Sequence, residues 1–227
     1  MKTRLEGGEG AEKIVYNDPH NNDRVIKEYK FESHSIQEVK AGYYIGKLLH
    51  LLLPSNIPNT HLSGKRKDKN AIMVQEKIER DSEHVRLNHL FYKKEKTDSE
   101  RTEELNLSEK RKVAVNDSYL LSSLKSLGVG FDQLPRNFSL QDNDEVVYLD
   151  SFQPWLIKHP LNAEGHQDLS RKKELILNFN EQKVRTHIAG MQDEYHRHLA
   201  EVCLQRLHGL AEEEAKEWGI LVKKDTT

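Results

Sequence analysis

Gly130-Phe131-Asp132-Gln133-Leu134-Pro135-Arg136-Asn137, and after it Val146-Val147-Tyr148-Leu149-Asp150-Ser151-Phe152, is the stretch on which the reading of this chain turns. Asp and Asn both favour turns, so the first run reads as a loop with Asp132 and Asn137 five positions apart. Phe138 to Leu140 and Val146 to Leu149 are short apolar runs on either side of Gln141-Asp142-Asn143-Asp144-Glu145, which predicts a hairpin. Asp150 follows it directly. Taken singly, Asp132 and Asn137 are turn residues and Asp150 caps a following helix. The order of loop, hairpin and second Asp says more than any one of them.

Working outward, the chain opens with strands. Ile14 to Tyr16 and Arg24 to Phe31 are β-prone runs joined by Asn17-Asp18-Pro19-His20-Asn21-Asn22-Asp23, a connector suited to a hairpin. From Ser35 the apolar positions Ile36, Val39, Tyr43, Leu48 and Leu52 take up helical spacing until Pro54 and Pro58 stop it. Ala71 to Val74 reads as a buried strand after the charged turn Lys65 to Asn70. Glu79 to Lys112 is dense in charge and reads as exposed helices with an insertion. Val113 to Leu127 regains apolar spacing and ends at Gly128, as one helix with a glycine terminator. Beyond Pro160 the pattern is helical, with Leu169 to Phe179, Val184 to Cys203 and Leu204 to Trp218 as segments.

The opening stretch resembles the catalytic segment of protein kinases, in which an Asp stands five positions before an Asn, a hairpin follows, and then an Asp-Phe-Gly sequence. Asp132, Asn137 and Asp150 match those places. The resemblance implies that Asp132 meets the acceptor hydroxyl, while Asn137 and Asp150 hold magnesium on the phosphates of ATP. Gly8-Glu9-Gly10-Ala11-Glu12-Lys13-Ile14-Val15-Tyr16 looks like the family's glycine-rich strand turn, with Gly8 and Gly10 against phosphate and Val15 on the adenine. Val25-Ile26-Lys27 resembles the strand motif whose lysine contacts phosphate, and Glu38 stands where the pairing glutamate belongs, with Glu28 and Glu32 nearer in sequence. Ile72 to Lys77 falls where the hinge between lobes belongs, so backbone groups of Gln75, Glu76 and Lys77 are expected to hold adenine.

The resemblance runs over about residues 5 to 155 and is closest to compact members, RIO-type and aminoglycoside-phosphotransferase-like. It implies an α+β, bilobal fold: a small lobe of antiparallel strands with one helix, residues 1–78, and a mainly helical lobe, residues 79–227. Three departures from the family pattern stand out. Gly130-Phe131 takes the place of His-Arg, Ser151-Phe152 that of Phe-Gly, and Lys13 that of the third glycine. The expected function is transfer of the γ-phosphoryl group of ATP to a hydroxyl of a protein or small molecule. The alternatives are a pseudokinase that binds without turnover, and a helical interaction protein with a strand-rich head.

The bulk properties set wider bounds. The 227 residues suffice for one large domain or two small lobes. Charged residues make up 32% of the chain with both signs nearly balanced, and the net charge of −2 gives no long-range pull on nucleic acid. The lone Cys203 can form no internal disulfide, and no stretch reads as a signal peptide or a membrane span, so a cytoplasmic protein is expected.

Overall fold

The computed structural model describes residues 4–9, 13–29, 35–65, 71–141 and 145–223. The fold is α+β. Its N-terminal part is an antiparallel five-stranded sheet built from β1 (Arg4–Glu9), β2 (Lys13–Asn17), β3 (Arg24–Tyr29), β4 (Thr60–Lys65) and β5 (Ala71–Glu76). Their order across the sheet is β1-β2-β3-β5-β4. The expected hairpin between β2 and β3 is present, its turn closed by Asp18 N–H on Arg24 O at 3.1 Å and by the Asn21 side chain accepting from Asp23 N–H at 2.8 Å. On β3, Val25, Lys27 and Tyr29 alternate inward, so a lysine occupies a core-facing strand position between two apolar neighbours.

Helix α1 (Ile36–Leu52) starts where the sequence predicts, with the Ser35 hydroxyl accepting from Glu38 N–H, and ends just before Pro54. Its buried stripe, Val39, Ala41, Ile45, Gly46, Leu48 and Leu49, packs against the sheet on one side and along α6 (Glu194–Trp218) on the other. The loop leaving α1 is stitched to the hairpin β6 (Phe138–Leu140) and β7 (Val146–Tyr148): Asn56 donates its amide to Val146 O at 2.9 Å and accepts from Tyr148 N–H at 3.0 Å. The segment after β7, with Asp150, is thus fixed to the end of α1. One core cluster runs from α1 through Leu120, Leu124, Phe138, Tyr148, Phe152 and Trp155 to Leu204, Leu207 and Ala211 of α6. It crosses the boundary at residue 78.

The C-terminal part holds α2 (Ser82–Tyr92), α3 (Asp98–Asn116), α4 (Tyr119–Ser126), α5 (Glu181–Ala189) and α6. Val113 to Leu127 is two helices rather than one. Asp117 ends α3, and Ser118 caps α4 by accepting from Leu121 N–H at 3.2 Å, a competing hydrogen bond that breaks helical continuity. Gly128 terminates α4 with φ +65°, the left-handed conformation glycine adopts at no steric cost. Residues 169–179 are not helical. Glu174–Leu177 is strand β9, sandwiched between β8 (Trp155–Lys158) and β10 (Leu221–Val222). A four-residue apolar run carries too little periodicity to separate a strand from a helix turn, and the pairing of β9 with β8 decided it. Val184 to Cys203 is likewise divided, between α5 and α6, while α6 runs unbroken through Leu204.

Candidate functional site

The register of the large sheet sets one face of the site. Lys13 lies opposite Tyr29 and Val15 opposite Lys27 on β2 and β3, while Lys27 faces Met73 and Val25 faces Gln75 on β5. Cross-strand partners and next-but-one neighbours share a face. Lys13, Val15, Lys27 and Tyr29 therefore lie together on one face. The segment after β7 comes against this face. Lys27 Nζ donates to Leu149 O at 2.9 Å, Lys13 Nζ forms an ion pair with Asp150 Oδ1 and lies 3.1 Å from Ser151 Oγ, and Tyr29 Oη is 2.5 Å from the same Ser151 Oγ. A narrow cavity behind Lys27 is lined by Gly42 and Gly46 of α1, Thr60, Gln75 and Phe152.

Two lysines and one carboxylate share this space, and their ionisation reflects it. Burial, reinforced by the nearby positive charges of Lys13 and Arg80, pushes the Lys27 ammonium down to about 7, with Asp150 opposing. For Asp150, burial alone would raise the carboxyl; Lys13 and Lys27, with hydrogen bonds from Lys13 and the Ser151 amide, hold it below its usual range.

The Asp132 loop stands on the other side of Tyr148. Asp132 is exposed, and one carboxylate oxygen accepts from Leu134 N–H at 3.1 Å, an Asx turn that fixes its direction. The short 3-10 turn Pro135–Asn137 follows, with the Asn137 amide donating to Asp132 O at 3.4 Å and Asn137 O accepting from Leu149 N–H at 2.7 Å. That last bond ties Asn137 to the residue before Asp150. Phe131, Tyr148 and Phe152 form an aromatic column, with ring centroids 5.8 Å and 4.7 Å apart, running from one loop to the other. Burial raises the Tyr148 phenol well above its ordinary value, and Asp150 and Asp132 add to this from nearby.

Not every expected residue joins this group. Glu38 is in the first turn of α1, one turn before Gly42 and two before Gly46 on the same stripe. Among the described residues Lys27 makes no ion pair with Glu38; its ammonium donates to Leu149 O instead. Gly8 lies within β1, and Gly10 falls outside the described residues. Gln75 is buried at the end of β5, while the amides of Glu76 and Lys77 donate to Asn59 O and Asp23 O, both at 2.8 Å, so these two donors are already committed at the sheet margin.

Three residues were missed. Lys13 reads in sequence only as a lost glycine, yet it pairs with Asp150. Asn178 holds both loops: it donates to Gly130 O at 3.2 Å and Gln153 O at 3.0 Å, and its carbonyl accepts from Gly130 N–H at 2.8 Å. A Cβ on Gly130 would collide with that amide, which accounts for glycine two residues before Asp132. Arg80, half-buried between β5 and α2, adds positive charge near Lys27. The available sequence signals were a lysine on a glycine turn and an Asn-Phe-Asn run before a helix.

As donors for a metal, Asp150 and Asn137 offer hard oxygens, which suits magnesium better than any softer ion. Among the described residues no three His, Cys, Asp or Glu side chains gather as ligands. A magnesium ion here would take a carboxylate and an amide from the chain and the rest from phosphate and water, its usual habit. Among the described residues no helix is long and apolar enough to cross a membrane. No protein-family profile matches the chain, and no curated protein matches it.

Proposed function

We propose that this chain is an ATP- and magnesium-dependent phosphotransferase of the protein-kinase-like fold, acting on a hydroxyl of a protein or small molecule. The observation that carries the reading is the meeting of β2 and β3 with the segment 149–151, through Lys27 on Leu149 O and Lys13 on Asp150. Residues more than a hundred positions apart bring two lysines and a carboxylate together. Phosphoryl transfer needs little more than position and charge neutralisation, so such a cleft is suited to it.

In this reading Asp132 accepts the proton of the acceptor hydroxyl as its oxygen bonds to the γ-phosphorus and the bond to the ADP oxygen breaks. Asn137 and Asp150 hold magnesium, which neutralises charge on the phosphates when bound. Lys27 keeps Leu149, and with it Asp150, in place. Val15 offers an apolar surface for the base.

The test combines binding with turnover. ATP with magnesium is expected to raise the melting temperature, by an amount equivalent to about 3 kcal/mol at a hundred times the dissociation constant. Asp150→Asn should shrink that shift, and Asp132→Ala should keep it while abolishing transfer of labelled phosphate from ATP to acceptors. A folded wild type that ATP and magnesium leave unmoved would sink the proposal. The Lys13–Asp150 ion pair favours a second reading, a binding module in which the carboxylate is already neutralised; binding without transfer to any acceptor would select it.

A further inference from the structure

We infer that Lys13, and not Lys27, is the cation that contacts the β- and γ-phosphates in this cleft. The assignment rests on the phosphotransferase reading above and divides the work of its two lysines.

The geometry separates them. Lys27 is 4% exposed, and its Nζ is held by the Leu149 carbonyl, which turns one of its three donors away from a ligand. Lys13 lies at the start of β2, where the chain leaves the turn that in the resemblance lies over phosphate, and its side chain remains 15% exposed. It shares a sheet face with Val15 and Lys27, so an adenine on Val15 would leave its phosphates beside the Lys13–Asp150 pair. Among the described residues its ammonium meets Asp150 Oδ1, Ser151 Oγ at 3.1 Å and the Tyr29 ring, whose centroid is 6.0 Å away.

The chemistry agrees with this division. A residue that orients phosphate must keep its charge, and a buried lysine surrounded by other cations gives its charge up readily. Lys27 is lowered to about 7, first by burial and then by Lys13 and Arg80, with Asp150 opposing. Lys13 has a carboxylate beside it and the more exposed side chain of the two lysines. Three donors on a flexible stem can follow a polyphosphate from one oxygen to the next without leaving Asp150. The loss of the third glycine is then a gain of function: a side chain does there what backbone amides do in a glycine turn.

The experiment measures ATP affinity by calorimetry, with magnesium present, in the wild type, Lys13→Met, Lys13→Arg and Lys27→Met, after far-UV circular dichroism has shown each variant folded. Lys13→Met should bind ATP at least about tenfold more weakly, Lys13→Arg should stay within about threefold of the wild type, and Lys27→Met should lose less than Lys13→Met. Lys13→Met binding as tightly as the wild type would overturn the assignment and leave the nucleotide site standing. Equal losses in Lys13→Met and Lys13→Arg would also overturn it, since charge would then be irrelevant. A wild type that binds no ATP removes the phosphotransferase reading itself, and this assignment with it.

Discussion

A lysine at an inward-facing strand position, between Val25 and Tyr29, is costly unless something is gained from it, and Lys27 makes the cost measurable. Its ammonium is lowered from the ordinary 10.5 to about 7, first by burial. Between those two pH values the unfolded chain binds a proton that the folded chain does not, so stability rises with pH through this window. The contribution is fully present above 10.5, is lost as pH falls through 7, and is flat below. From pH 7 to 9.5 the wild type should gain roughly 3 kcal/mol from this residue. Lys27→Met should lack that gain and should exceed the wild type in stability at pH 7. Urea unfolding at the two pH values measures both, and parallel curves for the two proteins would remove Lys27 as the source. Lys27 was singled out in the sequence by the likeness of Val25-Ile26-Lys27 to the kinase strand motif, since by polarity alone it would be placed on the surface. Lys13 was not, because nothing near it in the chain announces a partner 137 residues away.

At the scale of elements, the turn before α2 holds an interaction that composition concealed. Asp81 caps α2 by accepting from His84 N–H at 2.8 Å, and receives Arg111 of α3 through two bonds of 2.6 Å and 3.0 Å. Arg111 is fully buried and also donates to Phe138 O at 2.7 Å, as does His84 Nδ1–H at 2.8 Å. Two helices and the hairpin that precedes Asp150 therefore meet at one ion pair. Asp81→Asn keeps a capping side chain but removes the charge opposite a buried guanidinium, and is expected to cost about 3–5 kcal/mol. Chemical denaturation measures it; a loss under about 1 kcal/mol would mean that hydrogen bonds alone hold Arg111.

Helix ends were readable wherever a cap or a proline marked them, as Ser35 and Pro54 do for α1 and Gly128 for α4. The stretch 79–112 looked like a solvated surface because its few inward residues, His84, Leu87, Leu90 and Arg111, are outnumbered by charge, and two of those four are themselves polar. Strand β9 was misread because its partners, β8 and β10, lie at distances in sequence that no local pattern encodes. The same limit applies to the site. Asp132, Asn137 and Asp150 were singled out by their likeness to the kinase catalytic segment, whereas Asn178, which fastens Gly130 to Gln153, belongs to an element whose type was itself misassigned.

For the whole molecule, the decisive feature is that α1 belongs to two surfaces. It packs on the sheet, and it also lies along α6, so that Ala41, Ile45, Leu48 and Leu49 share one core cluster with Leu204, Leu207 and Ala211. Residues 1–78 cut away from the rest would leave that stripe in water, at roughly 1.5–3 kcal/mol for each large apolar side chain. The N-terminal part should therefore not fold alone, and the full chain should unfold in a single transition. Two probes test this. The chain has two tryptophans, Trp155 3% exposed in the common core and Trp218 64% exposed, so Trp218→Phe leaves fluorescence reporting on the core alone. In that variant the fluorescence midpoint in urea should coincide with the midpoint of helix loss by circular dichroism. Leu207→Ala, at the centre of α6, should move both midpoints together and lower stability by about 2–5 kcal/mol. Separated midpoints, or a cooperative melt from a fragment of residues 1–78, would show instead that the sheet and α1 form an independent lobe. The functional consequence follows from Gly42 and Gly46: they line the cavity behind Lys27 from the helix that α6 supports, so a protein loosened at Leu207 should also lose the stabilisation that ATP and magnesium are expected to give.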